Sequence, residues 1–143
     1  MRGPLALFAI TLALIVTGLA LYSALGIVRN SDDPAAGAAV SSFGQALKAG
    51  DGKRACALLT ADAQSRVEDD RKKPCDEGIL EIESDLEPDG EVAGIDVAEN
   101  SAFVTDSGGG AFFLDKTSAG WRLSAAGCER QAGDAPYSCE LEA

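Results

Sequence analysis

VAGIDVAENSAFVTDSGGGAFFLDKTSAGWRLSA, residues 92–125, is the stretch on which the fold turns. Within it Val92 to Val97, Ala102 to Thr105, Ala111 to Leu114 and Trp121 to Ala125 are short runs rich in β-branched and aromatic residues. They are separated by Asn100-Ser101, Gly108-Gly109-Gly110 and Ser118-Ala119-Gly120. Short apolar runs between turn formers predict the strands of an antiparallel meander. The triple glycine is a hairpin connection and not a phosphate loop, because a strand follows it and no Lys-Ser or Lys-Thr comes after.

Upstream the period changes. Val40, Phe43, Ala46 and Leu47 recur at helical spacing, Gly50-Asp51-Gly52 interrupts, and Ala55, Leu58 and Leu59 resume on a second short helix that carries Cys56. A third helix is expected from near Pro74, with Ile79, Ile82 and Leu86 on its apolar face. The charged run Glu68-Asp69-Asp70-Arg71-Lys72-Lys73 reads as a solvated loop or helix end. Helices first and a meander afterwards predict an α+β fold with helices packed on one face of the sheet and Trp121 anchoring their interface.

The N-terminal part answers a different question. Gly3 to Val28 is uncharged and apolar, bracketed by Arg2 and Arg29, and every Asp and Glu follows it. At 1.5 Å per residue this length covers a bilayer core, so residues 1–29 are expected to form a transmembrane anchor or uncleaved signal that enters the lipid bilayer through residues 3–28. The competing reading is a cleaved leader, with small residues at Gly18-Leu19-Ala20; the apolar run continues past them through Leu21, Tyr22, Leu25, Ile27 and Val28. No cysteine precedes Cys56, which excludes a lipoprotein cysteine. Residues 30–39, small, polar and rich in breakers, read as a linker that ends in a helix start, and residues 40–143 as one extracytoplasmic domain.

Charge and cysteines set the surroundings. The chain has 23 Asp and Glu against 12 Lys and Arg, a net charge of -11, and no histidine. Such a surface repels nucleic acid, so no nucleic-acid partner is expected. Cys56, Cys75, Cys128 and Cys139 form an even set without a Cys-x-x-Cys pair, and with no histidine to complete a mixed site they point to disulfides rather than zinc. Disulfides imply an oxidising compartment, with the N-terminus cytoplasmic and the C-terminal domain outside the cell membrane. Three connectivities are open to four cysteines and sequence does not choose among them; the two sequential loops, Cys56 with Cys75 and Cys128 with Cys139, are the expectation adopted.

Asp85-Leu86-Glu87-Pro88-Asp89-Gly90-Glu91-Val92, followed by Asp96, imitates a calcium loop. It departs from one in its Glu at the third position, in Pro88, in the shorter Asp96 at the twelfth, and in the strand that follows. Pro-Asp-Gly explains itself as a turn, so no metal and no cofactor are expected.

The order of a helix ending Phe43-Gly44-Gln45-Ala46-Leu47-Lys48-Ala49-Gly50-Asp51, a second helix with Ala55-Cys56-Ala57-Leu58-Leu59, and strands closing on Gly120-Trp121-Arg122-Leu123 resembles the nuclear-transport-factor-2-like cone fold. The resemblance covers nearly all of the chain beyond the anchor and implies a curved sheet. In particular it resembles small membrane-anchored proteins of Gram-positive bacteria in which a Gly-Trp strand runs into Ala-Ala-Gly-Cys and a Pro-Tyr-x-Cys tail, here Gly120 to Cys128 and Pro136 to Cys139. That superfold serves isomerases, dehydratases, carriers and docking modules alike, so it does not assign an activity.

Isomerases of this kind set an Asp base against a Tyr and a protonated acid. Here the tyrosines are Tyr22 in the anchor and Tyr137 in the tail, and no histidine is present; Asp96, Asp106 and Asp115 are acids beside turns, where solvation is the ordinary state. No catalytic residue is assigned. The expected function is a non-catalytic accessory or interaction module working with another envelope protein. The alternative is a carrier of a small apolar ligand, its cone lined by Phe103, Phe112, Phe113 and Trp121, and the third is an isomerase-like enzyme. A filled cone favours the first, an apolar pocket the second, and a dry pocket with a buried acid of raised pKa the third.

Overall fold

Three helix starts are written by short polar side chains. Asp33 accepts the Ala35 N–H at 3.0 Å, with Pro34 behind it at the first helical position; Asp51 accepts the Arg54 N–H at 3.0 Å; Thr60 accepts the Ala63 N–H at 3.2 Å. Each satisfies one of the N–H groups that a helix start leaves unpaired. In the computed structural model, which describes residues 33–132 and 136–143, these caps open α1 (Pro34–Lys48), α2 (Gly52–Ala57) and α3 (Ala61–Arg71). Then come α4 (Cys75–Gly78), a 3-10 turn (Ile79–Glu81) and α5 (Glu83–Leu86). The strands β1 (Val92–Ala98), β2 (Ser101–Asp106), β3 (Ala111–Thr117), β4 (Gly120–Arg130) and β5 (Tyr137–Glu142) form one antiparallel sheet in sequence order. The fold is therefore α+β. The apolar segment 3–28 lies outside the described residues, among which no helix is long and apolar enough to cross a membrane.

The helices bury one face of the sheet. Val40, Phe43 and Leu47 of α1, Leu59, Val67, Ile79 and Leu86 meet Val104, Phe112, Leu114, Trp121, Leu123 and Leu141 in one continuous core. Each large side chain buried this way contributes about 1.5–3 kcal/mol. The Cys56–Cys75 disulfide ties α2 to α4 across a separation of 19 residues, a closure worth about 3 kcal/mol. The Cys128–Cys139 disulfide joins residues that face each other directly in the β4–β5 register. The two sequential loops are thus the pairs formed. The α2–α3 turn also joins the sheet: Leu123 donates to the Leu58 carbonyl at 2.8 Å and accepts from Thr60 N–H at 2.9 Å, alongside β4 where β5 has ended.

Trp121 anchors the helix–sheet interface as expected. Its indole N–H donates to Asp33 at 2.8 Å, and Lys116 lies 5.1 Å over its ring. The same carboxylate therefore caps α1 and holds the start of that helix to a central strand.

The structure redraws two of the expected elements and adds two more. Helix α1 begins at Pro34, and Ala36 and Gly37 are already buried, so the linker expected over 30–39 gives way to helix before position 40. A small, alanine-rich sequence hides this helix, which packs closely on the sheet at Gly37, where a Cβ would stand 2.7 Å from the terminal methyl of Ile95. The single helix expected after Pro74 is three short pieces, because Ile82 at φ -119° and ψ 15° breaks the ladder while Ile79, Ile82 and Leu86 still reach the core. Helix α3 and strand β5 are additions. Only Ala63 and Val67 of α3 are buried, too narrow a stripe to stand out in a charged sequence.

The Trp121 indole, then the Ala35 N–H and the Lys116 ammonium, hold the Asp33 carboxyl below the usual carboxylate range. A depressed folded-state pKa adds stability above the unfolded value of about 3.9, and that stability is lost as pH falls through the folded value. Asp33→Asn keeps an acceptor but no charge. Urea midpoints of the two proteins are expected to differ in favour of the native chain at pH 7 and to converge as pH falls below the unfolded value of about 3.9 and through the lower folded one. A constant gap over that range would show that the charge contributes nothing.

Candidate functional site: the outer face of the sheet

Strand alternation leaves a second face, turned away from the helices. Phe103 and Phe113 are register partners on β2 and β3, and Tyr137 of β5 joins them, with ring centroids 5.1, 5.4 and 5.8 Å apart in the three pairs. All three rings are half-buried, and they pack with Ala111, Ala125 and the Cys128–Cys139 disulfide. Arg130 lies 5.4 Å from the Tyr137 ring and donates to its hydroxyl at 3.2 Å. Tilted and edge-on rings at these distances gain attraction beyond their buried area, so the trio is a formed cluster.

Gly127 makes this face possible. At φ +63° it adopts a conformation that a side chain would strain, and a Cβ there would stand 2.3 Å from the Asp85 carbonyl. Ala126 and its partner Leu141 belong to the helix-side core, whereas Cys128 and its partner Cys139 belong to the outer cluster. The strands change the face they present at this glycine. Register irregularities between Ala111 and Leu114 add residues to β4 and bend the sheet in the same region.

A groove of about 540 Å³ runs from this cluster toward the start of α3. Phe113, Ala125, Pro136, Tyr137 and Cys139 form its apolar part, and Asp62, Asp115 and Glu142 stand on its rim. A second groove, of about 730 Å³, is lined mainly by polar groups around Asp85, Glu87, Asp89, Asp106, Glu129 and Arg130.

The four aromatics expected to line one cone pocket are divided between the two faces. Phe112 and Trp121 are buried in the helix-side core, at 1% and 4% exposure, while Phe103 and Phe113 lie in the outer cluster. Adjacent residues of a strand point to opposite faces, so Phe112 and Phe113 could not share a pocket. Tyr137, read as a residue of the tail, completes the outer cluster from β5. The alternation Tyr-Ser-Cys-Glu-Leu-Glu carried that signal.

Of the acids weighed for catalysis, Asp96 and Asp115 are exposed and Asp106 is buried, at 5% exposure. Asp106 accepts the backbone N–H groups of Asp89 at 2.8 Å, Gly108 at 3.0 Å and Gly110 at 2.8 Å. It ties the Pro88-Asp89-Gly90 turn to the β2–β3 hairpin, and this carboxylate organises the segment that imitates a calcium loop. Among the described residues no group of three or more acids or cysteines is gathered as a metal site.

Asp106→Ala would leave three N–H groups without their acceptor, a loss expected to reach about 2–4 kcal/mol and to lower the thermal midpoint by about 10 °C or more. Phe113→Ala, on a half-exposed face, is expected to lower it by much less. Thermal unfolding of the two variants checks the contrast, and equal losses would make the outer cluster as structural as the Asp106 turn. Set against family models, curated proteins and solved structures, the chain matches none of them.

Proposed function

We propose that the protein is a single-pass membrane protein, anchored through residues 3–28 with its N-terminus in the cytoplasm, whose extracytoplasmic domain is a non-catalytic interaction module of the nuclear-transport-factor-2-like kind. The observation that carries this reading is the half-exposed cluster of Phe103, Phe113 and Tyr137, built from strand residues alone and separate from the helix-side core. An apolar patch held rigid by a disulfide is a surface suited to another protein. The space between helices and sheet, where a carrier or an isomerase would keep its ligand, is occupied by Phe43, Phe112, Leu114, Trp121 and their neighbours. The buried acid, Asp106, is committed to three backbone N–H groups, and the Tyr137 hydroxyl to Arg130. Two disulfides, with no free cysteine among the described residues, support an oxidising compartment.

Two measurements test the two halves of the proposal. The intact mass of the protein from its native membrane fraction, taken after thiol blocking, is expected to be full length with no blocked cysteine. A mass starting near Leu21 would make the protein secreted, and four blocked thiols would place the domain in the cytoplasm. A photo-crosslinking residue at Phe113, compared with one at the helix-side surface residue Asp76, is expected to give a discrete adduct in intact membranes from the Phe113 position alone. Equal labelling, or none at Phe113, would remove the outer face as an interaction surface.

A further inference from the structure

Resting on the reading of the outer face as an interaction surface, we infer that its partner is a basic, amphipathic peptide segment, a stretch of another protein in which Lys or Arg alternates with apolar residues. The groove that leaves the aromatic cluster has an apolar lining of Phe113, Ala125, Pro136 and Tyr137. Its rim acids, Asp62, Asp115 and Glu142, come from α3, β3 and β5, so three elements converge to place negative charge around one apolar strip. All three are exposed and, among the described residues, form no ion pair.

Two neighbouring cations make other contacts. Arg122 faces Asp115 in the β3–β4 register but donates to the Trp121 carbonyl at 2.8 Å, and Arg66 pairs with Asp70 at 3.1 Å. Asp115 accepts only the Ser101 hydroxyl, at 3.3 Å. The three rim carboxylates are therefore left without an ion pair among the described residues, and a basic side chain of a partner complements them. Arg130 rests over the Tyr137 ring at 5.4 Å, which shows that the aromatic cluster is compatible with a guanidinium beside it.

An extended segment with alternating side chains matches this arrangement, because its apolar side chains would meet the rings while its basic ones reach the rim. Anionic lipid headgroups and nucleic acid carry the wrong charge for it. A free apolar ligand would leave the rim acids unused.

The test uses the full chain in detergent micelles and a fluorescein-labelled octapeptide of alternating Lys and Leu, read by fluorescence anisotropy. Binding is expected, and Asp62→Asn/Asp115→Asn/Glu142→Gln should weaken it about tenfold, as should Phe113→Ala. Neutralising Asp76, Glu77 and Glu83, acids away from the groove, should leave it unchanged. A Glu–Leu octapeptide should not bind.

Equal weakening by the two sets of charge variants would reduce the binding to net charge and overturn the inference, as would tighter binding of the Glu–Leu peptide. Crosslinking at Phe113 separates this failure from that of the broader reading. If the adduct forms in native membranes and persists undiminished when the rim acids are neutralised, the interaction face stands and the basic partner does not. If the adduct is lost from the native chain as well, both fall.

Discussion

The indole of Trp121 is the contact on which the rest of the domain depends. It sits on the long central strand with its ring in the core, and its N–H reaches Asp33 at the other end of the domain's sequence. Asp33 in turn caps the helix that supplies Val40, Phe43 and Leu47 to that core. A short hydrogen bond thus registers the first helix against the sheet. Lys116, over the same ring, adds a charge that favours the Asp33 carboxylate, but an exposed ion pair contributes little beside the burial of a ring and several large aliphatic side chains.

Much of this architecture was legible in the sequence because it rests on local signals. The four runs between Val92 and Ala125 are short and rich in β-branched and aromatic residues, and the turn residues between them point to a meander. The α+β order and the anchoring role of Trp121 followed from spacing and residue type, whereas the pairing of the four cysteines, which sequence left open among three connectivities, is settled by the structure.

What escaped did so for physical reasons. Helix α3 buries only Ala63 and Val67 and is held by its Thr60 cap and its packing neighbours rather than by an apolar stripe. Helix α1 starts within a stretch of alanine and glycine that reads as linker until Asp33 is recognised as a cap with proline behind it. The outer cluster was the hardest to foresee. Phe103 and Phe113 separate from Phe112 and Trp121 by strand parity, which a sequence shows, but Tyr137 reaches them only because Gly127 turns β4 and the second disulfide holds β5 in register.

The two outermost strands have a consequence for the protein in company. A sheet that does not close leaves rows of backbone groups at its margins, and these are templates for pairing with another chain. Here β1 carries exposed Asp96 and β5 exposed Glu140 and Glu142. Two copies approaching margin to margin bring like charges together before any backbone bond can form. Charge on the outer strands thus opposes edge-to-edge pairing of identical domains, and Glu142 belongs both to that edge and to the groove.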